Sequence, residues 1–470
     1  MKGIDAMELE RMWQRVSRHT GLLVLILCLP TLAFSQDASV PSPLTLQQAV
    51  NIALEKNPQR KAALADTKAA AADVATARSF LFPHVTFSES AERGNDPVYV
   101  FGSKLRQQRF TTGDFALNIL NTPAPYGNFG TRFGGTWTLF DSSASWHGVT
   151  RVGYLKDAAS RQLERADQEI VFHVIDGYYG VLLAQKQLDV AEQSLKTSQA
   201  ILDLAKNRYE SGVVVQSDYL SAQVRLATRN QELVRAQDNL ALARAQFSMA
   251  MGIPTMDEFT PAEVLAEKSL PSLSLDDLEK QALKKRPDLN RIRSEEAAQE
   301  QSVSIAKSSF GPRVNAYGNW EADNPTMFAG GGGNNWVAGI ELKVDLFQGG
   351  AKRAELSREK ALQEKMAALQ ETATDAIRLD VRRAYYDLDV ARQEVEVART
   401  TIAEAQESLR INQDRYDSGL STITDLLGAE ETTRRTQTDY WQAVYSYQVG
   451  YANLELASGT LGPQSPVIAP

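Results

Sequence analysis

The sequence is poor in cysteine and histidine and has no long apolar run. Among 470 residues there is 1 cysteine, Cys28, and the 4 histidines lie far apart. This scarcity argues against a disulfide scaffold, a zinc finger and a clustered histidine metal site. No apolar run reaches the roughly 18 residues that a transmembrane helix needs.

The sequence also lacks an excess of positive charge and the common catalytic motifs. Lysine and arginine number 50 against 58 acidic residues, a formal net charge of -8, which argues against a nucleic-acid partner. The sequence contains no Gly-x-Ser-x-Gly, His-Glu-x-x-His or P-loop pattern. We therefore expect no enzyme, no catalytic residue, no metal and no cofactor. With 43% hydrophobic and 23% charged residues, the chain is neither disordered nor collagen-like.

Residues 1–35 have the pattern of a secretory signal. Arg11, Arg15 and Arg18 precede a short apolar stretch at 21–29, and small residues occupy the cleavage positions before and at Ser35. A buried N-terminal helix is the alternative, which we rank lower because no amphipathic segment follows. The three residues before Cys28 make a poor lipobox, so we expect no lipid anchor. The pattern predicts export and cleavage after Ser35.

The remaining chain contains two copies of one unit. Leu46 to Pro58 matches Leu275 to Pro287, and Arg208-Tyr209-Glu210-Ser211-Gly212 matches Arg415-Tyr416-Asp417-Ser418-Gly419. The spacing between the copies is longer for the first match than for the second. The change falls between Pro83 and Leu139, so the first copy carries a longer loop within about 94–130. We predict a signal at 1–35, a first repeat at 36–258, a second repeat at 259–460 and a tail at 461–470.

Each copy predicts two shorter helices, two extended segments and a hairpin of long helices. The shorter helices fall at about 44–80 and 275–310, and the first long helices at about 146–209 and 350–416. A seven-residue repeat of apolar positions selects a left-handed coiled coil. The stripes are Val174, Val181, Leu188, Leu195, Leu202 and Tyr209, then Val381, Leu388, Val395, Ile402, Leu409 and Tyr416. On these helices alone, a soluble coiled-coil rod stays possible.

The extended segments favour a membrane barrel over that rod. Apolar residues alternate with polar ones from Trp336 to Leu346, about the length of a tilted membrane-spanning strand. Similar alternation surrounds Phe133, Val85 and Val314, although Glu89 interrupts one apolar face. A small soluble sheet is the alternative. Four strands cannot close a barrel and open edges are not tolerated in lipid, so we expect several chains to contribute.

The duplicated unit, with its Arg-Tyr-x-Ser-Gly turn and an aspartate six residues after the glycine, resembles the TolC-like outer-membrane efflux proteins. The resemblance covers essentially the whole predicted mature chain. It implies a membrane α/β fold: a homotrimer whose four strands per chain form a 12-stranded outer-membrane β-barrel continued by a periplasmic α-helical coiled-coil tunnel. It also implies an exit duct for small-molecule efflux or type I protein secretion. The implied partners are a periplasmic adaptor protein, an inner-membrane transporter and outer-membrane lipid.

The resemblance also assigns roles at the periplasmic tip. It places adaptor docking on Gly212 and Val213, and on Gly419 and Leu420. It places an acidic constriction on Asp425. It places a gate bond between Tyr416 and Asp218, with Ser217 beside the aspartate. Two positions depart from the family pattern: Ser421 stands where the family has a gate arginine, and Gly428 stands where it has a second aspartate ring. We therefore expect a tip that is closed less firmly and carries one acidic ring.

Plainer roles compete with each assignment. Gly212 and Gly419 fit left-handed helix caps, and Asp218 and Asp425 fit helix-start partners. Tyr416 continues the heptad stripe, so core packing is its default role. For the whole chain, the competing function is an exported coiled-coil scaffold or adhesin without a channel.

Overall fold

The computed structural model of the chain describes residues 43–254, 260–268, 271, 274–327 and 333–468. The predicted signal at 1–35 lies outside the described residues. The helices and strands are α1 (Leu46–Lys56), α2 (Pro58–Ser79), β1 (His84–Gly94), α3 (Pro97–Arg106), a 3-10 turn (Thr112–Phe115), α4 (Leu117–Asn121), β2 (Tyr126–Phe140), α5 (Ala144–Glu210), α6 (Gln216–Met251), α7 (Leu275–Lys285), α8 (Pro287–Ser308), β3 (Arg313–Asn324), β4 (Gly333–Lys343), α9 (Ala351–Asp417) and α10 (Ile423–Ser458).

The sequence duplication recurs in the helix boundaries. The shift that carries Pro58 onto Pro287 also carries both ends of α1 and α2 onto the ends of α7 and α8. The shift that carries Tyr209 onto Tyr416 does the same for α5 and α6 onto α9 and α10. The helices α5 and α9 each have 67 residues, which corresponds to about 100 Å. The chain is therefore built from two halves with the same order of elements. None of the helices in the described ranges is both long and apolar enough to cross a membrane.

The long helices pack through the predicted heptad stripe over most of their length. Val174 and Val181 of α5 and Val381 and Val395 of α9 are buried. Tyr209 is the exception, with 39% of its surface exposed. The stripe therefore identifies the packed face correctly, but it does not distinguish the two halves at the tip.

Glycines end the second long helix of each half where another backbone passes closely. Gly252 follows α6 with a φ of +71°, and a Cβ atom there would lie 2.4 Å from the Cα of Asn57. Asn57 caps α2 through a 2.8 Å hydrogen bond from the Gln59 backbone N–H. Gly459 follows α10 with a φ of +73°, and its Cβ would lie 2.9 Å from the Cα of Arg286. Only glycine fits both the left-handed backbone and the space.

The described strands form one antiparallel sheet in the order β1-β2-β3-β4. Strands β2 and β3 belong to different halves and pair directly, so the sheet joins the two copies. One edge of β1 and one edge of β4 have no partner strand within the described residues. A single chain therefore presents two open sheet edges.

One face of the sheet is apolar and ends in a row of aromatic side chains. Phe87 pairs with Phe133, Phe133 with Trp320, and Trp320 with Trp336, so the row crosses all four strands. Glu89, which interrupts the apolar pattern, lies beyond this row and accepts a 2.6 Å hydrogen bond from the Thr131 hydroxyl. Aromatic rows at the edge of an apolar band are typical of membrane barrels, where they lie at the lipid–water interface.

Strand β4 lies earlier in the chain than the alternation predicts. The predicted strand runs from Trp336 to Leu346, but β4 ends at Lys343. Lys343 pairs with Arg313, the first residue of β3. Pro312 precedes it and has no N–H group to continue the ladder, so the pairing stops there. The alternation beyond that point is not part of the sheet.

The longer loop of the first half contains α3, the 3-10 turn and α4, and it docks on the sheet. The Gln107 side-chain amide donates to the Gly127 carbonyl at 3.0 Å and to Asn128 at 2.7 Å. Asn128 in turn donates to Asp323 on β3 at 2.6 Å. This buried polar chain fixes the loop at one end of the strands.

The C-terminal segment packs on the helices. Val467 and Ile468 are buried, and the Tyr179 hydroxyl donates to the Val467 carbonyl at 3.3 Å. Proline and glycine prevent a regular element here, but the apolar side chains still pack against the rest of the protein.

Candidate functional site

The two turns between the long helices have the same closure. We call residues 211–215 and 418–422 the tip turns. Gly212 and Gly419 have φ angles of +73° and +72°. The Val213 N–H donates to the Arg208 carbonyl at 2.9 Å, and the Leu420 N–H donates to the Arg415 carbonyl at 2.8 Å. Both glycines therefore act as left-handed caps of the Schellman type, which is the plainer role that the sequence predicts for them.

The tip turns expose apolar side chains. Val213 is 62% exposed, Val215 is 64% exposed and Leu420 is 70% exposed. The turns are short and their backbones are closed by the caps, so these side chains project from a fixed frame. An apolar group held in this way can bury its surface against a partner at little cost in ordering.

Arg208 joins the two tip turns within one chain. Its Nη1 donates to the carbonyl oxygens of Tyr416 and Asp417, the latter at 2.9 Å. Its guanidinium carbon lies 5.0 Å from the centre of the Tyr416 ring. A positive charge at the C-terminal end of α9 also interacts favourably with the helix dipole. Arg208 is part of the repeated Arg-Tyr-x-Ser-Gly motif, which is the sequence signal for it, but no role is predicted from that motif.

The predicted gate bond between Tyr416 and Asp218 does not form in this structure. Tyr416 is 2% exposed, and its hydroxyl has no hydrogen-bond partner in the described part of the chain. Burial raises the pKa of Tyr416, while the charge of Arg208 lowers it and that of Asp218 raises it. The ring packs in an apolar cluster, in agreement with the heptad role, with Ile201, Ala205, Ala222, Ile423, Leu426 and Leu427.

The equivalent tyrosine of the first half is in a different environment. The Tyr209 ring stacks on Tyr219, with ring centres 5.8 Å apart and planes 2° apart. Tyr209 is 39% exposed, so its outer face is free of the contacts that bury Tyr416. The two tip turns therefore have the same backbone but unequal surroundings.

Asp425 is bound at the start of its own helix. Its Oδ2 accepts from the Thr422 N–H at 3.0 Å and from the Thr422 hydroxyl at 2.7 Å, and its own N–H donates to that hydroxyl at 3.2 Å. This is a capping box. The Thr422 hydroxyl and N–H lower the pKa of the exposed Asp425 carboxyl. The helix-start role is therefore present in the single chain, and an acidic ring is not needed to explain the aspartate.

The other predicted tip residues lie close to the turns and are largely open to solvent. Ser217 is exposed, and its carbonyl accepts from the Ser221 hydroxyl at 2.8 Å. Ser421 is half-buried and its hydroxyl lies 3.5 Å from the Thr422 carbonyl. Gly428 is exposed, with open space where a Cβ would point. Ser421 and Gly428, the two departures from the family pattern, are therefore both small residues near the tip.

A buried charge cluster lies above the tip between the two halves. The Arg229 side chain, 1% exposed, contacts Glu430 at 2.7 Å, Glu431 at 2.5 Å and Glu232 at 2.7 Å. The Ser194 hydroxyl also donates to Glu430 at 2.5 Å. The cluster links α5, α6 and α10, and it is not predicted from the sequence. Its signal is an arginine midway between Ala222 and Ala236, at a seven-residue spacing on the packed face of α6.

Comparisons with known proteins identify the architecture. The family model described as "Outer membrane efflux protein" matches residues 49–253 and 278–460. The protein CyaE of Bordetella pertussis is 26% identical over 436 residues, covering 89% of this chain and 85% of CyaE. The outer membrane protein TolC of Escherichia coli is 22% identical over 453 residues, covering 92% and 86%. The solved CmeC outer membrane channel of Campylobacter jejuni superposes with a TM-score of 0.75 at 16% identity, covering 93% of this chain and 92% of CmeC.

Proposed function

The chain belongs to the outer membrane efflux protein family, and from this premise we propose how its tip turns serve an outer-membrane exit duct. The protein is a channel of the Gram-negative outer membrane for efflux or secretion, and it is not an enzyme. Its four strands contribute to a trimeric barrel, and its long helices continue into the periplasm as a tunnel.

The four-stranded sheet is the observation that carries this function. Its apolar face ends in an aromatic row, and its two outer edges lack partner strands in the described residues. Open edges are not stable in lipid, so neighbouring chains must pair with them. Three chains supply twelve strands. A scaffold or adhesin without a channel would have no use for this face.

The tip turns are the proposed docking points for a periplasmic adaptor. Members of the family work with adaptor proteins and inner-membrane pumps. Support for docking at the tip comes from the exposed Val213 and Leu420 on their closed turns. Gly212 has open space around it, so a partner helix can approach its backbone closely. The adaptor would bring its own apolar side chains to these turns, and the pump would select the substrate.

The tip turns and the residues around them are also the proposed gate of the tunnel. In the single chain, Arg208 and the cluster around Tyr416 hold the tip turns together, which is the contact expected to change when the tunnel opens. Three-fold symmetry would bring Asp425 of each chain around the axis, with Asp218 and the small Ser217 and Ser421 nearby. We also propose that the functional halves follow the boundaries 36–258 and 259–460.

Docking can be tested with a substitution that has a matched control in the same chain. Gly212→Glu places a charged side chain at a tip turn. Gly349→Glu places one just before α9, at the opposite end of the long helices. Both glycines have a positive φ, and a Cβ added at either would meet open space, so both substitutions strain the backbone similarly.

The measurement is solute efflux or protein secretion in cells that lack their own member of the family. We expect Gly212→Glu to abolish export while trimers still reach the outer membrane, and Gly349→Glu to export nearly as well as the parent. Equal export by both variants would contradict docking at the tip. If high salt without detergent released the parent protein from membranes, that result would contradict the proposal that it is a membrane channel.

A further inference from the structure

The longer loop of the first half lies at the end of the sheet that faces away from the long helices. We call residues 95–125, between β1 and β2, the insert. The helix α5 begins just beyond the opposite end of β2, at Ala144. Phe133 of the aromatic row lies between these two ends of β2. The insert is therefore on the far side of the aromatic row from the tunnel, at the outer mouth of the proposed barrel.

The insert is held on the polar face of the sheet. Successive side chains of a strand point to opposite faces, so a residue an odd number of positions from Phe133 lies on the face opposite the aromatic row. Asn128 and Tyr126 are such residues. The Gln107 side-chain amide donates to Asn128 at 2.7 Å, and the Tyr126 hydroxyl donates to Gln107 at 2.8 Å. Both of these contacts are therefore made from the polar face.

Helix α3 crosses the sheet on this face, from β1 to β4. At its start, the Tyr99 ring lies 3.4 Å from the position of a Cβ at Gly94, the last residue of β1. At its end, a Cβ at Gly333, the first residue of β4, would overlap the Arg106 carbonyl oxygen. By the same alternation, both glycines belong to the polar face. The 10 residues of α3 span about 15 Å, which matches three strand spacings of about 4.8 Å.

The polar face becomes the inner wall of the channel. In a membrane barrel the apolar face of each strand meets lipid and the polar face lines the lumen. The insert of each chain therefore lies inside the mouth. The outer edges of β1 and β4, which lack partner strands in the described residues, must pair between neighbouring chains. The start of α3 in one chain is then beside the end of α3 in the next.

The mouth is narrow enough for three inserts to fill most of it. Twelve strands about 4.8 Å apart and tilted by about 40° form a wall about 75 Å around and about 24 Å across. A helix with its side chains is about 10 Å thick. A single layer of helices against this wall therefore leaves an opening of about 4 Å at the axis.

Apolar side chains are exposed near both ends of α3. Val98 is 79% exposed, and Leu105 is 48% exposed. The two residues are seven positions apart, so they lie on the same face of the helix. In the ring of neighbouring chains, the first of these side chains comes close to the second one of the next chain.

The insert has a small core of its own, which fixes its shape. The Phe110 ring packs edge-on against Phe101 and Phe115, with ring centres 4.8 Å and 5.1 Å apart. The Lys104 Nζ lies 2.6 Å from the Asp114 carboxylate. The exposed apolar groups of α3 therefore belong to a folded unit, and they form a surface that another chain can cover.

We propose that the three copies of α3 join end to end in a ring that narrows the outer mouth of the channel, with Val98 of one chain packed against Leu105 of the next. The partner of the exposed surface is thus a second copy of the same helix. The proposal rests on the trimeric channel proposed above and adds a second constriction, separate from the periplasmic tip. A wide substrate leaves only when α3 moves off the wall, which breaks the hydrogen bond between Gln107 and Asn128.

Disulfide formation tests the ring. In a Cys28→Ser background, Val98→Cys with Leu105→Cys should give linked species of two and three chains on mild oxidation. The two sites of one chain are about 10 Å apart along α3, beyond the reach of a disulfide, so every link joins two chains. The control is Ala91→Cys with Leu105→Cys, because Ala91 lies near the same end of the sheet but on its apolar face, outside the wall.

The outcomes separate the ring from the channel. If the first pair gives no linked species in a trimeric parent, or if both pairs link equally, the ring is overturned and the channel stays intact. A parent that is not trimeric by light scattering would instead refute the proposed channel.

Access to the lumen tests the constriction. Gly94 pairs with Tyr126, so residues 95–125 can be replaced by a short Gly-Ser turn that keeps the sheet. In the Cys28→Ser background, Thr136→Cys places a thiol on the polar face of β2, deeper in the lumen than the insert. A bulky polymer-linked maleimide added outside intact cells should label this cysteine several-fold faster in the chain without the insert.

The control for reactivity is the same maleimide on the two unfolded proteins, which should be labelled equally. Equal labelling rates in intact cells, with both chains trimeric by light scattering, would overturn the constriction.

Discussion

Replacing Arg229 should weaken the contact between the two halves of the chain by more than any substitution of an exposed ion pair. The guanidinium, 1% exposed, is shared by three carboxylates, and Glu430 is itself 2% exposed. Arg229→Met keeps much of the side-chain volume but leaves Glu430 buried with the Ser194 hydroxyl as its remaining contact in this cluster. Removing one partner of a buried ion pair costs about 3–5 kcal/mol, which is the loss we expect.

Two further variants separate the buried charge from simple loss of packing. Glu430→Gln should cost less, about 1–2 kcal/mol, because Arg229 keeps Glu431 and Glu232 and the glutamine can still accept a hydrogen bond. Replacing Arg229 and Glu430 together by methionine should be less destabilising than Arg229→Met alone. The double variant buries no unpaired carboxylate at position 430.

The assay is denaturant unfolding of the detergent-solubilised protein, followed by its helical circular dichroism. Arg410→Met is the control, since Arg410 forms exposed pairs with Glu407 and Asp414 and should cost less than about 1 kcal/mol. The reasoning is refuted if Arg229→Met unfolds at the same denaturant concentration as Arg410→Met. A double variant less stable than Arg229→Met would also refute it.

Three further predictions concern the stability of the protein in acid, the glycines of positive φ and the ion selectivity of the tip. Burial raises the pKa of Glu431, but hydrogen bonds from Arg434 and Arg229 outweigh it and lower the pKa to about 2. The ionised Glu431 carboxylate therefore stabilises the fold above about pH 4.5, and this contribution is lost as the pH falls towards 2. The Glu431 side chain is 38% exposed, so solvent screening reduces the contribution to about 1 kcal/mol. Glu431→Gln should therefore make the free energy of unfolding depend less on pH in the acid range. Gly252→Ala should lower the melting temperature strongly, while an alanine at the open Gly212 should lower it less. Asp425→Asn should reduce cation selectivity, measured as the reversal potential in planar bilayers, because the proposed ring loses its charge; an unchanged reversal potential would mean that the residue only caps α10.

The helices are the part of the fold that the sequence predicts best. The two-fold repeat and the seven-residue stripe locate α5 and α9 to within two residues at each end. The repeat and the seven-residue spacing can both be read along the sequence itself, so these helix boundaries can be predicted without knowing where other segments lie in space. Strand β4 is less well predicted because its end depends on Pro312, which lies just before the neighbouring strand β3.

The site is harder to predict because its contacts join distant segments. Arg208 reaches carbonyls 208 and 209 residues later in the chain, and nothing near it in the sequence indicates that the end of α9 lies there. Arg229 likewise meets Glu430 from the other half. Asp425 is the opposite case. Its capping partner Thr422 is three residues away, so the sequence already contains the contact that the structure forms.

The mass of the detergent-extracted particle tests the central claim most directly. Each chain has four strands in one sheet with two edges that lack partners in the described residues, so a closed barrel of twelve strands needs three chains. Light scattering corrected for bound detergent should give three chains per particle at every protein concentration used. A particle of one or two chains would contradict the trimeric channel.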